Sequence, residues 1–143
     1  MARPDPGRQI LEELSGLIRQ LSRISGGLEE GPAMTASQRL ALVELLEHAP
    51  LRLNDLAQRM GTSAPTASRA VDALDELGLV ERQTDPTDRR AITIKLTADG
   101  RRSVEERKAR VYAAFRPAAA AMSPADRAQL AELLARLAAH LSD

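Results

Sequence analysis

One interruption constrains this chain more than any other feature. Apolar residues recur at helical spacing along most of its length, but between Leu79 and Leu96 the pattern becomes that of strands. Leu79-Val80-Glu81-Arg82 and Ala91-Ile92-Thr93-Ile94-Lys95-Leu96 are β-like, and the turn-rich Asp85-Pro86-Thr87-Asp88 lies between them. A hairpin set between helices is a wing. The expected fold is mainly α with a small β wing.

The helical segments follow from local signals. Ile10, Leu11, Leu14, Leu17, Ile18, Leu21 and Ile24 mark a first helix from about Arg8 to Leu28, ended by Gly26, Gly27, Gly31 and Pro32. A second begins at Thr35 or Ser37, carries Leu40, Val43, Leu45 and Leu46, and stops near His48. Leu51-Arg52-Leu53 reads as an edge strand. Asn54 is expected to cap a short helix through Met60, Gly61 to break it, and Ser63 to cap another that runs to Leu77 and ends at Gly78. After the hairpin, Thr97-Ala98-Asp99-Gly100 opens a long helix with Val104, Val111, Phe115, Ala118 and Met122 on its apolar side. Ser123-Pro124 restarts the chain, and Leu130, Leu133, Leu134, Leu137 and Leu141 stripe a last helix. The organisation expected is one domain, 1–143, with a winged helix-turn-helix core at 34–97 (helix pair and wing within 53–97) and flanking helices at 8–28 and 101–142.

Composition closes off several function classes. No run of about 18 apolar residues supports a membrane span. The opening MARPDPG lacks the apolar core of a secretory signal, so a short tail and a cytoplasmic location are expected. There is no cysteine, which excludes thiolate metal sites and thiol redox sensing. His48 and His140 lack ligand-like spacing, so no metal and no cofactor are expected. One tyrosine and one phenylalanine cannot build a stacking platform for single strands. No nucleophile–base pair, metal cluster or phosphate-cradling glycine loop is present, so the chain does not read as an enzyme. With 20 basic and 20 acidic residues the net charge is zero, so only a segregated basic surface would serve a nucleic-acid partner.

Such segregation is visible in Asn54–Gly78. A helix-turn-helix needs a small residue where the helices cross, supplied by Ala57, and a residue tolerant of positive φ in the turn, supplied by Gly61. Ala67, Ala70, Val71, Leu74 and Leu77 hold the second helix down at helical spacing. Its other face carries Thr62, Ser63, Pro65, Thr66, Ser68 and Arg69: hydroxyls for phosphates or base edges, and one arginine able to grip guanine. No acid occurs from Gly61 through Val71. The hairpin adds Arg82, Arg89 and Arg90, cations suited to phosphates or a minor groove. Thr35, Ser37 and Asn54, at helix starts, are further candidate DNA contacts. Read alone, these segments also fit a polar helical hairpin with a solvated charged turn.

The stretch LRLNDLAQRMGTSAPTASRAVDALDELGLVERQTDPTDRRAITIKLTADG resembles the DNA-binding core of the MarR (multiple antibiotic resistance regulator) family. The wing signature is Asp88-x-Arg90-x-x-x-Ile94-x-Leu96-Thr97-x-x-Gly100, with Ile94 in place of the family's usual valine. The flanking helices extend the resemblance over nearly the whole chain. It implies an obligate homodimer whose first and last helices interlock, a recognition helix in the major groove of double-stranded DNA, and Arg90 in the minor groove with Asp88 pairing with it to stabilise the wing. It further implies a repressor on a pseudo-palindromic operator, released by a small lipophilic or phenolic effector. The effector site expected lies between the first two helices and the long helix after the wing, with Leu17, Leu21, His48, Arg107, Val111 and Phe115 as candidate lining. The near absence of aromatics makes that lining mostly aliphatic, and the absence of cysteine excludes a thiol switch. The zero net charge sustains one alternative, a winged helix that binds other proteins and not a specific DNA sequence.

Overall fold

In a computed structural model of the chain, residues 5–27 and 33–141 are described. The elements run α1 (Pro6–Gly27), α2 (Ala36–His48), β1 (Leu51–Arg52), α3 (Leu53–Arg59), α4 (Ala64–Glu76), β2 (Val80–Thr84), β3 (Ile92–Leu96), α5 (Ala98–Ala120) and α6 (Pro124–Leu141). Leu28, Gly31 and Pro32, expected at the end of the first helix, lie outside the described residues. The chain packs as two compact units, one of Ser25–Lys108 and one of Met1–Ile24 with Ala109–Asp143.

In the first of these, the strands form an antiparallel sheet of order β1-β3-β2, so β3 is central and β1 is an edge. Leu51 pairs with Ile94 and Arg52 with Thr93; across the hairpin Val80 pairs with Leu96 and Gln83 with Thr93. The core gathers Leu42 and Leu45 of α2, Leu56 and Met60 of α3, Val71 and Leu74 of α4, Val80, Ile94 and Val104. Burying these side chains supplies about 1.5–3 kcal/mol each for the large ones. Ala57, Ala67 and Ala70 are also buried, where a larger side chain would force the helices apart.

Local chemistry explains most boundaries. Thr35 caps α2 through a capping box: its Oγ1 accepts the Gln38 N–H, and its own N–H donates to Gln38 Oε1. Ser63 caps α4, its Oγ accepting the Thr66 N–H at 3.3 Å. Gly61 and Gly78 take φ of +64° and +72°, the left-handed region that a side chain disfavours. Two expectations are corrected. Asn54 does not cap α3: the chain leaves β1 and turns directly into the helix, so Arg52 holds the cap position and Asn54 is the second residue of the helix. Leu77 is not core; it is the α4 C-cap and is 41% exposed, because the helix unwinds before its stripe returns to the core side.

The junction of α4, the hairpin and α5 is a tight lock. Thr97 Oγ1 donates to the Gly78 carbonyl at 2.7 Å and accepts the Gly100 N–H at 3.0 Å, while Thr97 N–H donates to the Leu79 carbonyl at 3.1 Å. A Cβ on Gly100 would lie 1.9 Å from that carbonyl oxygen. The spacing Thr97-x-x-Gly100 therefore records a hydroxyl cap and a backbone approach that only glycine permits.

In the other unit, Ser123 caps α6 by accepting the Asp126 N–H at 3.1 Å. The leucines of α6 find little cover within the described chain: none of its residues is buried. Ile10, Leu14 and Leu17 of α1 with Leu130, Leu133 and Leu134 of α6 line an open apolar trough of about 590 Å³.

Candidate nucleic-acid interface

The N-terminal turns of α4 carry a polar chain on one face. Ser63 Oγ donates to Thr66 Oγ1 at 2.9 Å, and Arg69 Nη2 reaches the same oxygen at 3.4 Å. Spaced three residues apart, the three side chains stack along the helix. Arg69, Ser63 and Pro65 are exposed; Thr66 and Ser68 are half-buried. The first turn carries no acid, so the positive end of the helix is unopposed there. Thr62 is half-buried, its N–H donating to the Ala57 carbonyl. Asn54 is exposed in the first turn of α3, Ser37 is half-buried, and the Thr35 hydroxyl is engaged in its cap.

The wing is more ordered than its composition suggests. Asp85 Oδ2 accepts Arg52 Nε at 3.0 Å and Nη2 at 2.8 Å, while Oδ1 accepts the Thr87 N–H at 2.9 Å and its hydroxyl at 2.8 Å. The Thr87 amide, followed by Arg52 and the Thr87 hydroxyl, holds the Asp85 carboxyl down to about 2. Asp85 N–H donates to the Ala91 carbonyl, and Ala91 N–H to that of Asp88, closing the loop at its base. Arg89 and Arg90 are exposed and make no ion pair among the described residues.

Two wing roles expected from sequence change. Asp88 does not pair with the Arg90 guanidinium. Its Oδ1 accepts the Arg90 main-chain N–H at 3.0 Å, and its Oδ2 lies 3.9 Å from Arg52, because the turn points the carboxylate back along its own backbone. Arg82 is not an outward cation. Its guanidinium bridges Asp75 at 2.6 Å and Asp72 of α4, tying β2 to the recognition helix. Arg52 and Asp85 are the residues that sequence reasoning missed. They are 33 positions apart, and the only local hint was a carboxylate at the first position of a turn, where Asp bonds the backbone two residues on.

The six effector-site candidates divide between the units. Leu17, Leu21, Val111 and Phe115 fall in one, His48 and Arg107 in the other. Leu17 lines the α1–α6 trough, and Arg107 lines a small cleft with Met34, Leu42 and Val104. His48 is exposed near Glu44 and Glu47 at 3.8 and 3.9 Å. Among the described residues no group of three or more acidic or histidine side chains could hold a metal ion, and no helix is long and apolar enough to cross a membrane.

Two short helices joined at a left-handed glycine, a second helix with a polar acid-free start, and a hairpin presenting arginines define a winged helix-turn-helix protein. Comparison with known proteins agrees. A sequence model of the MarR family matches residues 34–91. YdgJ of Bacillus subtilis, an uncharacterized HTH-type transcriptional regulator, is 28% identical over 130 residues, covering 90% of this chain and 77% of that protein. A probable transcriptional regulator from Pseudomonas aeruginosa is 32% identical over 87% of this chain and 96% of its own, with a TM-score of 0.62. FabT of Streptococcus pneumoniae, solved in complex with DNA, is 19% identical over 95% of this chain and 97% of its own; its TM-score of 0.80 makes it a fold neighbour. The chain is a winged-helix transcriptional regulator whose residues 34–91 match the MarR family.

Proposed function

We propose that this protein is a homodimeric, cytoplasmic repressor that binds a pseudo-palindromic operator in double-stranded DNA and is released by a small lipophilic or phenolic effector. The observation that carries the reading is the division of charge on the winged unit. Ser63, Thr66 and Arg69 line an acid-free helix start, while Asp85 is buried, Asp88 bonds the Arg90 amide, and Arg89 and Arg90 are exposed. That division lets a chain of zero net charge present a local cationic surface. In this reading the α4 start reads base edges and the wing arginines enter the minor groove. Arg82, committed to Asp72 and Asp75, supports the recognition helix and does not touch DNA.

A second copy is the natural cover for a helix that buries none of its leucines. Two-fold symmetry then requires two half-sites about one helical turn apart, or slightly more. An effector acts only through unequal affinity for DNA-competent and incompetent states; a hundredfold preference supplies about 2.7 kcal/mol.

The test is selection by the purified protein from a pool of random duplexes. The expected outcome is enrichment of an inverted repeat with that spacing. A failure to enrich any sequence refutes the operator reading and favours a protein-binding winged helix. Small aromatic and aliphatic acids screened for release of the selected DNA test the effector, and a hit should lose its effect in a Phe115→Ala variant that still binds DNA.

A further inference from the structure

Arg52 belongs neither to the wing nor to the recognition helix, yet the wing is tied to it. It ends β1 and holds the cap position of α3, but its side chain makes no cap hydrogen bond there. In the sheet it pairs with Thr93, and Thr93 pairs with Gln83, so the three side chains share one face. Asp85 directly follows β2, and β3 lies between β1 and β2. To reach Asp85, the Arg52 side chain must run across the central strand. Thr93, on the face opposite Ile94, is accordingly only 5% exposed.

The contact also organises charge. Asp85 is 8% exposed, with one oxygen on the Arg52 fork and the other on the Thr87 amide and hydroxyl. Asp88 has one oxygen 3.9 Å from the same guanidinium and the other on the Arg90 amide. Both wing carboxylates thus gather around one arginine contributed by the helix-turn-helix, and the residues between their bonds and Ala91 are the two exposed arginines, Arg89 and Arg90.

We infer that the Arg52–Asp85 pair is a positioning device for DNA binding: it sets the wing tip so that Arg89 and Arg90 face the duplex while the buried Asp85 is withheld from the phosphates. The inference rests on the DNA-binding reading above and adds residues that touch no DNA themselves. Because Asp85 is held far below the ordinary carboxylate range, the clamp is fully ionised at any physiological pH.

Asp85→Asn separates this role from simple electrostatics. The amide is nearly isosteric and removes a negative charge from a loop beside DNA, so charge alone predicts tighter binding. Positioning predicts the opposite: operator binding weaker by about fivefold or more, since wing contacts are lost as a group. Arg52→Ala should weaken binding by a similar factor, and the double variant should be no worse than either single one. In an Arg89→Ala/Arg90→Ala background, Asp85→Asn should change affinity by less than about twofold, because nothing remains to position. A merely structural role would weaken binding equally in both backgrounds. Thermal melting of each variant within a few degrees of the parent confirms folded protein. The inference is overturned if Asp85→Asn binds as tightly as the parent, or loses the same factor with and without the wing arginines. If the Arg89→Ala/Arg90→Ala protein itself binds the operator like the parent, the wing reading falls and the clamp falls with it. A weakened double-arginine variant beside an unaffected Asp85→Asn refutes the clamp alone.

Discussion

Replacing Gly100 with alanine should unfasten the lock between α4, the hairpin and α5. The added Cβ would sit 1.9 Å from the Leu79 carbonyl oxygen and 2.8 Å from its carbon, where ordinary contact begins at 3.4 Å. The obstructing atoms are backbone and cannot rotate away. They are also pinned: the Leu79 carbonyl accepts Thr97 N–H, and the adjacent Gly78 carbonyl accepts Thr97 Oγ1. Separation by more than an ångström forfeits both bonds, worth about 1 kcal/mol each. Forced packing adds about 1–3 kcal/mol. Alanine's better helix propensity returns at most about 1 kcal/mol. The net cost is about 2–4 kcal/mol, a large share of the roughly 5–15 kcal/mol that holds a domain together. At about 4 °C per kcal/mol, the melting temperature should fall by about 8–16 °C. Thermal unfolding followed by circular dichroism at fixed protein concentration measures it, and Thr97→Val, which removes the hydroxyl but adds no clash, should fall by less. A Gly100→Ala protein that melts within about 2 °C of the parent would refute the close-approach argument.

Arg90→Ala should weaken operator binding at least about tenfold and lower the salt slope of log K by about 0.9, as one minor-groove cation no longer displaces counterions; Arg82→Ala should leave that slope unchanged, because its charge already answers Asp72 and Asp75. Arg69→Ala should relax base preference at one position by about 1–3 kcal/mol while sparing non-specific affinity; equal loss on both would make Arg69 a phosphate contact. Leu137→Glu should give monomer or aggregate in sedimentation and abolish operator binding, and a stable monomer that still binds a full operator tightly would rule out the α1–α6 dimer. Asp85 has a folded value of about 2 against an ordinary 3.8, so its contribution to stability is fully present above pH 3.8 and is lost as pH falls toward 2. A carboxyl-carbon NMR titration should show a midpoint near 2, rising in Arg52→Ala; a midpoint at 3.8 in the parent would mean the clamp is open in solution.

What the sequence disclosed was what is local. Ser63, Thr35, Gly61 and Gly78 were legible because caps and left-handed turns are decided within four residues. The alternation of residues 92–96 exposed β3 for the same reason. Asn54 misled because its residue type suits a cap, whereas the pairing of β1 with β3 decides where the helix starts. Arg82 looked outward because its partners on α4 are 7 and 10 positions away and meet it only when the hairpin folds back. Arg52 and Asp85 were invisible because their contact needs the β1-β3-β2 order, which neither segment encodes alone. The leucine stripe of α6 was legible as a stripe, but none of its residues is buried within the described chain.

The balance of charge on this chain bears on how such a regulator would find its target. Non-specific affinity for DNA grows with the number of phosphates neutralised. A chain with equal numbers of acids and bases gains little from its net charge on arbitrary duplex. An operator competes with about 10⁶–10⁹ other genomic positions, so occupancy follows the ratio of specific to non-specific binding and not the affinity itself. Under the proposed function, low retention on bulk DNA would let a small number of copies keep one operator filled. Under the proposed function it would also sharpen release, since a protein whose wings lose their set would gain little from neighbouring sequence.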